Sequence, residues 1–484
     1  RAPMTEPVAL PLAVLAPLAI GAASFVLPER AARALLVPGW LLTAAAVAAI
    51  AAAGSPLRYA LGAWGAPLGI ELVADGISVD HVGLSAAVYA AVFAYAHAYF
   101  ARGSREAATF WPLAWLLWGA LNAVALAADL FNLFVTLELL GLAAVGLAAL
   151  SGKAAALAAA LRYLLAALVG SNLFLLAVAL LYGATGVLAL DAIAERLPPD
   201  GTAVLAAALI AVAMALKTAL VPLHFWLPPA HGGAVTPVSA LLSALVIKGS
   251  FVILLRLWLL FAPAFDAQAV AALLAVLGAA AILWGSIAAL VQKKIKMLVA
   301  YSTVAQVGYL FLVFALLAGD PVLALEGGVL HMVAHGLAKA AMFLAAGSLV
   351  LSAGRDDLAA LRGAAARQPL AVFAFGLSGA SLIGLPPSAG FAAKWQLLRA
   401  ALESGQWWWA LVLVAGGLLA AAYLFRVLRL AFLPRLEDND ARPLPPLLSI
   451  APFALALAAA FGGLAAAALL ARIDLASPLA AWTR

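Results

Sequence analysis

The 484-residue chain contains no cysteine, which excludes disulfides, thiolate metal sites and cysteine nucleophiles. Charge is scarce as well. Asp, Glu, Lys and Arg make up 10% of the residues against 67% hydrophobic, and the mean hydropathy is +1.13. A soluble protein of this length cannot hide so much apolar surface, so the bilayer is expected to be the main solvent. Also missing are a Gly-rich phosphate loop, a nucleophile triad and a haem-ligand pattern. Nothing therefore points to bond-making chemistry, a cofactor or a metal, and no loop is long enough for a soluble domain.

What is present is a succession of apolar runs of spanning length, about fourteen in all. Their cores are Val8–Leu27, Ala34–Ala53, Ile77–Phe100, Thr109–Ala128, Leu130–Leu150, Ala159–Tyr182 and Ala203–Val221. Then follow Val238–Leu260, Ala269–Val291, Met297–Leu317, Val322–Leu351, Leu370–Ala401, Trp408–Phe432 and Leu447–Ala471. The eleventh and twelfth are long enough to contain bends. The first lacks a convincing cleavage site and reads as a retained helix rather than a signal peptide.

The loops between them alternate in sign. One set holds Arg30, Arg33, Arg102, Arg105, Lys153, Lys293, Lys294, Lys296, Arg355, Arg362, Arg367 and the stretch from Arg426 to Arg442. The other holds Asp75, Asp80, Asp191, Glu195, Asp200, Asp266, Asp320 and Glu403. The positive-inside rule places the basic set in the cytoplasm, and an even number of helices then places both termini outside a cell membrane. The net charge of +6 is read this way rather than as affinity for nucleic acid.

The most informative stretch runs from Met214 to Gly249. It carries Lys217 late in an apolar run, breaks at Pro222, Pro228 and Pro229, restarts at Pro237 and takes Lys248 into the next run. Charges and helix breaks at membrane depth are costly and mark function. A second Pro-Pro pair, Pro386 and Pro387, stands near another apolar-run lysine, Lys394. Two interrupted helices of this kind are the expected trace of structural repeats in a transporter, although unrelated proline kinks would look the same.

Sorting charges by depth separates lysine from arginine. Lys217, Lys248, Lys339 and Lys394 fall within apolar runs, whereas Arg162, Arg256, Arg399 and Arg426 are expected near helix ends, where they can snorkel. A desolvated lysine can give up its proton near neutral pH and an arginine cannot. Glu138 is the one acid expected well inside a span, and Lys217 is its expected partner. His331, His335 and Lys339 follow at four-residue steps and share a helix face, an arrangement suited to passing protons. His224 and His231 flank the broken stretch and could feed protons to Lys217 or satisfy carbonyls freed by the prolines. Ser302 and Thr303, with Tyr301 and Gln306, could hold water between the charged sites.

Four segments, DLFNLFVTLELL, KTALVPLHFWLP, HMVAHGLAKAAMFLAAG and GLPPSAGFAAKW, resemble the proton-conducting, antiporter-like subunits shared by Mrp-type sodium/proton antiporters and respiratory complex I. The likeness runs over nearly the whole chain and is greatest to the D-type antiporter subunit. It implies an all-α membrane fold of fourteen helices with two inverted five-helix repeats, here 109–260 and 269–432, each with one broken helix. It further implies that Glu138 pairs with Lys217, that Lys248 connects to His331, His335 and Lys339, and that Lys394 is the terminal site. The expected function is a proton-translocating, non-enzymatic subunit working with other membrane subunits and lipids, with protons and, as a candidate, sodium as the transported ions. The alternatives are a redox-driven complex of the complex I or membrane-hydrogenase type, and a scaffold without an ion path.

Overall fold

The computed structural model describes residues 8–54, 56–66, 69–264, 267–434 and 443–472. The expected positions of both termini, of Asp266 and of residues 435–442 lie outside the described residues. The chain is almost wholly helical. Twelve described helices are long and apolar enough to cross a membrane. They are α1 (Ala9–Val26), α2 (Leu36–Ala53), α3 (Gly76–Tyr99), α4 (Arg105–Leu126), α5 (Leu130–Ala148) and α6 (Ala154–Thr185). After these come α9 (Thr236–Ala264), α10 (Ala267–Val291), α11 (Ile295–Leu316), α12 (Pro321–Ala353), α15 (Trp407–Phe432) and α16 (Leu447–Leu470).

The twelfth expected run is broken into two shorter helices, α13 (Pro369–Ile383) and α14 (Ala389–Glu403), while the seventh gives a short helix, α7 (Gly201–Lys217), followed beyond the end of the run by another, α8 (Leu227–Gly233). Asp200 caps the start of α7 by accepting from Thr202 N at 2.8 Å, and Ser388 caps α14 by accepting from Phe391 N at 3.1 Å. Between α13 and α14, Gly384 takes φ of +94°, a left-handed turn that favours glycine. The eleventh run, expected to bend, is instead one unbroken helix, α12. An interruption that the sequence does not announce lies in α9, where residues 242–246 form a π-turn.

Small residues set how closely the helices approach. At Gly308 of α11 a Cβ would lie 2.9 Å from the backbone nitrogen of Ile282 on α10, so only glycine admits this crossing. Large apolar side chains such as Leu161, Leu165, Leu411, Leu418 and Phe425 point outward, as expected of a lipid-facing surface. A two-stranded antiparallel hairpin, β1 (Leu57–Ala60) and β2 (Glu71–Ala74), pairs Leu57 with Ala74 and Ala60 with Glu71. Arg58 on the hairpin forms an ion pair with Asp191. On the opposite, basic end Lys294 pairs with Asp356 at 2.9 Å.

Candidate functional site

Lys217 is the last residue of α7 and only 8% exposed. Backbone amides beyond the last turn reach its carbonyls, Thr218 N to Met214 O at 2.8 Å and Ala219 N to Leu216 O at 3.2 Å, and side chains add a second donor to each. The Trp226 indole donates to Leu216 O at 2.9 Å, and the Thr218 hydroxyl donates to Met214 O at 2.7 Å. Trp226 is itself fixed by stacking on Tyr163, with centroids 4.3 Å apart. The lysine stem passes over Gly170 of α6, where a Cβ would lie 3.0 Å from Lys217 Cγ. Beside Lys217 is a void of about 10 Å³ that Ser250 also lines, roughly the least that one water needs.

Glu138 sits midway along α5, half-buried, and interacts electrostatically with Lys217. The two do not touch: no ion pair joins them among the described residues, and Glu138 Oε1 has no hydrogen-bond partner. The expected pair is thus an apposition across a gap.

Lys248 is fully buried in α9. Its ammonium donates to Ser243 O at 2.6 Å, a carbonyl within the π-turn, where the backbone ladder is disturbed. The Ser243 hydroxyl in turn bonds Thr303 of α11 at 2.9 Å. One helix turn on, Lys339 of α12 donates to Val299 O at 3.0 Å and to the Ser302 hydroxyl. Ser302 and Thr303 therefore stand between Lys339 and Lys248.

His331 and His335 stack nearly parallel, with ring centroids 5.8 Å apart. His331 Nε2 bonds Gln306 O at 3.1 Å, while neither ring nitrogen of buried His335 has a partner. Tyr309 lies 5.2 Å from the His331 ring, and the Lys394 ammonium sits 4.3 Å over the Tyr309 ring. Lys394 also donates to Leu382 O at 2.6 Å and to Ile383 O at 3.2 Å. These are the last carbonyls of α13, where a cation is favoured.

His231 is buried and bonds Leu227 O at 2.9 Å through Nδ1, so it satisfies a carbonyl in the broken stretch. His224 lies in the break itself and accepts from Trp284 Nε1 at 3.2 Å. Neither touches Lys217 in a hydrogen bond.

Three expectations need correction. Arg256 does not snorkel: it is buried and ion-paired to Asp75 at 3.2 Å, because α3 and α4 end beside it with an acid and free carbonyls. Asp80 is not a loop residue but lies inside α3, 3% exposed, with neither oxygen bonded. Lys296 is not a loop charge either. It sits in the first turn of α11 and donates to Ala234 O at the end of α8. His81, beside Asp80 within the third apolar run, is fully buried as well.

Residues 127–420 match the family described as NADH:quinone oxidoreductase/Mrp antiporter, TM. The N-type subunit of a NADH-quinone oxidoreductase from Desulforudis audaxviator is 39% identical over 86% of this chain and 83% of its own length. The D-type subunit of a Na(+)/H(+) antiporter from Alkalihalophilus pseudofirmus is 32% identical over 77% of this chain and 75% of its own length. Among solved structures, a chain of the Mrp complex from Dietzia superposes with a TM-score of 0.89 and 27% identity, over 97% of this chain and 96% of that one. With fold and sequence alike matched over most of its length, the chain belongs to the NADH:quinone oxidoreductase/Mrp antiporter transmembrane family of antiporter-like, proton-conducting subunits.

Proposed function

We propose that the chain is the proton-translocating subunit of a multi-subunit sodium/proton antiporter in the cytoplasmic membrane, with its basic face inside. A proton taken up at Lys217 or Lys248 passes along His335, His331 and Lys339 and leaves through Lys394. Glu138 acts on Lys217 through the field across the gap. The observation that carries this reading is continuity: from Lys248 to Lys394, each titratable group stands within hydrogen-bond, ring-contact or electrostatic reach of the next. Lysines, unlike arginines, can be neutral in such surroundings and so can pass a proton on. The expected result is that Lys217→Ala or Glu138→Ala abolishes proton-coupled sodium efflux in vesicles while the complex still assembles. Near-normal exchange in either variant overturns the mechanism.

A second reading is favoured by the 39% identity to the N-type subunit of a NADH-quinone oxidoreductase: the same axis driven by electron transfer. Subunit composition of the purified complex separates the two. Quinone-reducing or hydrogenase-like partners support the redox-driven reading, and small antiporter subunits support the first.

A further inference from the structure

A second cluster of buried polar groups lies outside the row from Lys217 to Lys394, at the acidic end of α3 and α9. Its register follows from the packing. At Gly336 of α12 a Cβ would lie 2.9 Å from Leu84 Cδ1 and 3.2 Å from Ala244 O, so α3, α9 and α12 meet there. One helix turn toward the acidic end are His81 on α3 and Lys248 on α9, since residues three or four apart share a face. Two further turns along α9 stands Arg256, opposite Asp75 and Ser78 at the start of α3. His81 is fully buried, and neither of its ring nitrogens has a hydrogen-bond partner. It interacts electrostatically with Lys248 on one side and Arg256 on the other. Asp80, beside it, is also buried and unbonded, and interacts with Asp75 and Arg472.

Beyond Arg256 the protein opens. A cavity of about 320 Å³ reaches the acidic face, lined by Arg58, Asp75, Asp191 and Arg256. The Arg256 guanidinium closes its inner end. It donates to Asp75 Oδ2 at 3.2 Å and Oδ1 at 3.3 Å, to the Ser78 hydroxyl at 2.6 Å, and to the carbonyls of Ala125 at 3.0 Å and Ala127 at 3.4 Å. Arginine keeps its charge, so a guanidinium across a polar passage repels protons and acts as a barrier rather than a relay.

We propose that His81 is a proton-relay site on a side branch joining Lys248 to the acidic face through this cavity, with the Arg256–Asp75 pair as its gate. The branch rests on the proton-translocation reading above and adds to it a path independent of Lys394. While Arg256 is held by Asp75, the branch is closed and protons follow the main row. When the guanidinium swings into the cavity, water reaches His81, whose two unbonded nitrogens can take a proton at one and release it at the other.

The test uses the whole complex in sealed vesicles of known orientation. Because the chain has no cysteine, His81→Cys places a single thiol in it, followed by the mass of this chain. A small, membrane-impermeant cationic thiol reagent applied at the acidic face is expected to modify it. Asp75→Asn keeps the helix cap but removes the charge that holds Arg256, and is expected to raise the rate at least about ten-fold. The same reagent at the basic face does not react. No modification in the Asp75→Asn background, or equal rates from both faces, overturns the branch. Separately, His81→Phe keeps an aromatic ring without titratable nitrogens; in the Asp75→Asn, Lys394→Arg background, where the opened branch alone conducts, it is expected to lower proton translocation about ten-fold with co-purification of partner subunits unchanged. Lys217→Ala is measured alongside. Full transport by that variant overturns the underlying reading, whereas its failure together with no effect of His81→Phe in the opened background removes the branch alone.

Discussion

In the proposed path Lys394 holds two roles that one substitution separates. Its ammonium bonds the last carbonyls of α13 and stands over Tyr309. Lys394→Met leaves the Ile383 carbonyl without its donor and Leu382 O with only the Gln306 amide at 3.4 Å, and an unsatisfied buried group costs about 1–3 kcal/mol. It is expected to lower the unfolding temperature of the detergent-solubilised complex as well as transport. Lys394→Arg keeps a donor but cannot release its proton, so it should retain stability while transport is lost. Transport surviving in Lys394→Arg would remove Lys394 from the path. Gly170 gives a complementary check. Any side chain there meets Lys217 Cγ at 3.0 Å and the Ala213 carbonyl at 3.2 Å, so Gly170→Val should depress transport although it alters no titratable group, read as vesicle proton flux. Arg256 is a structural anchor besides: Arg256→Leu strands the Asp75 carboxylate and should destabilise the protein by about 3 kcal/mol, measured by thermal unfolding.

At the scale of elements, the broken helices hold the lysines at depth. The Ser388 cap keeps α14 in position beside the break, and Ser388→Ala should cost about 1 kcal/mol, seen as a modest fall in unfolding temperature. The sequence made these breaks legible because proline removes a backbone donor and clashes with the preceding turn. The π-turn at 242–246 was not legible. Its residues, LSALV, carry no local mark, and the turn shows itself only once Lys248 is seen bonding Ser243 O. Arg256 was misplaced for a related reason. Its distance from the end of the apolar run suggested an interface, but the true depth is set by what covers it, namely the cap of α3 and the end of α4. Asp80 reads as a loop acid because it lies in the first turn of its apolar run, where a shift of a few residues decides between loop and interior. The row of His331, His335 and Lys339 needed no tertiary knowledge, because a four-residue spacing fixes a common face whatever packs against it.

At the scale of the molecule, the alternating signs of the loops and the described structure agree on two ends, one with Lys153, Lys294 and Arg355, the other with Asp75, Asp191 and Asp200. If the basic end is cytoplasmic, Lys153→Cys should be labelled by an impermeant thiol reagent only from inside and Asp200→Cys only from outside. Labelling with the opposite sidedness would invert the direction assigned to every step above. Both positions are exposed, so the labelling does not depend on opening the fold.

The parallel imidazoles of His331 and His335, 5.8 Å apart, set a limit on traffic. Two positive charges at that spacing repel by about 3 kcal/mol at an effective dielectric near 20, about a hundred-fold penalty on filling both at once. The pair therefore behaves as a single berth with two positions, and a newcomer at one ring evicts the occupant of the other. Extended along the lysines of the proposed path, this would make conduction a relay of displacements in single file. On that path the number of protons carried per cycle would count evictions, and would be smaller than the number of basic side chains in the row.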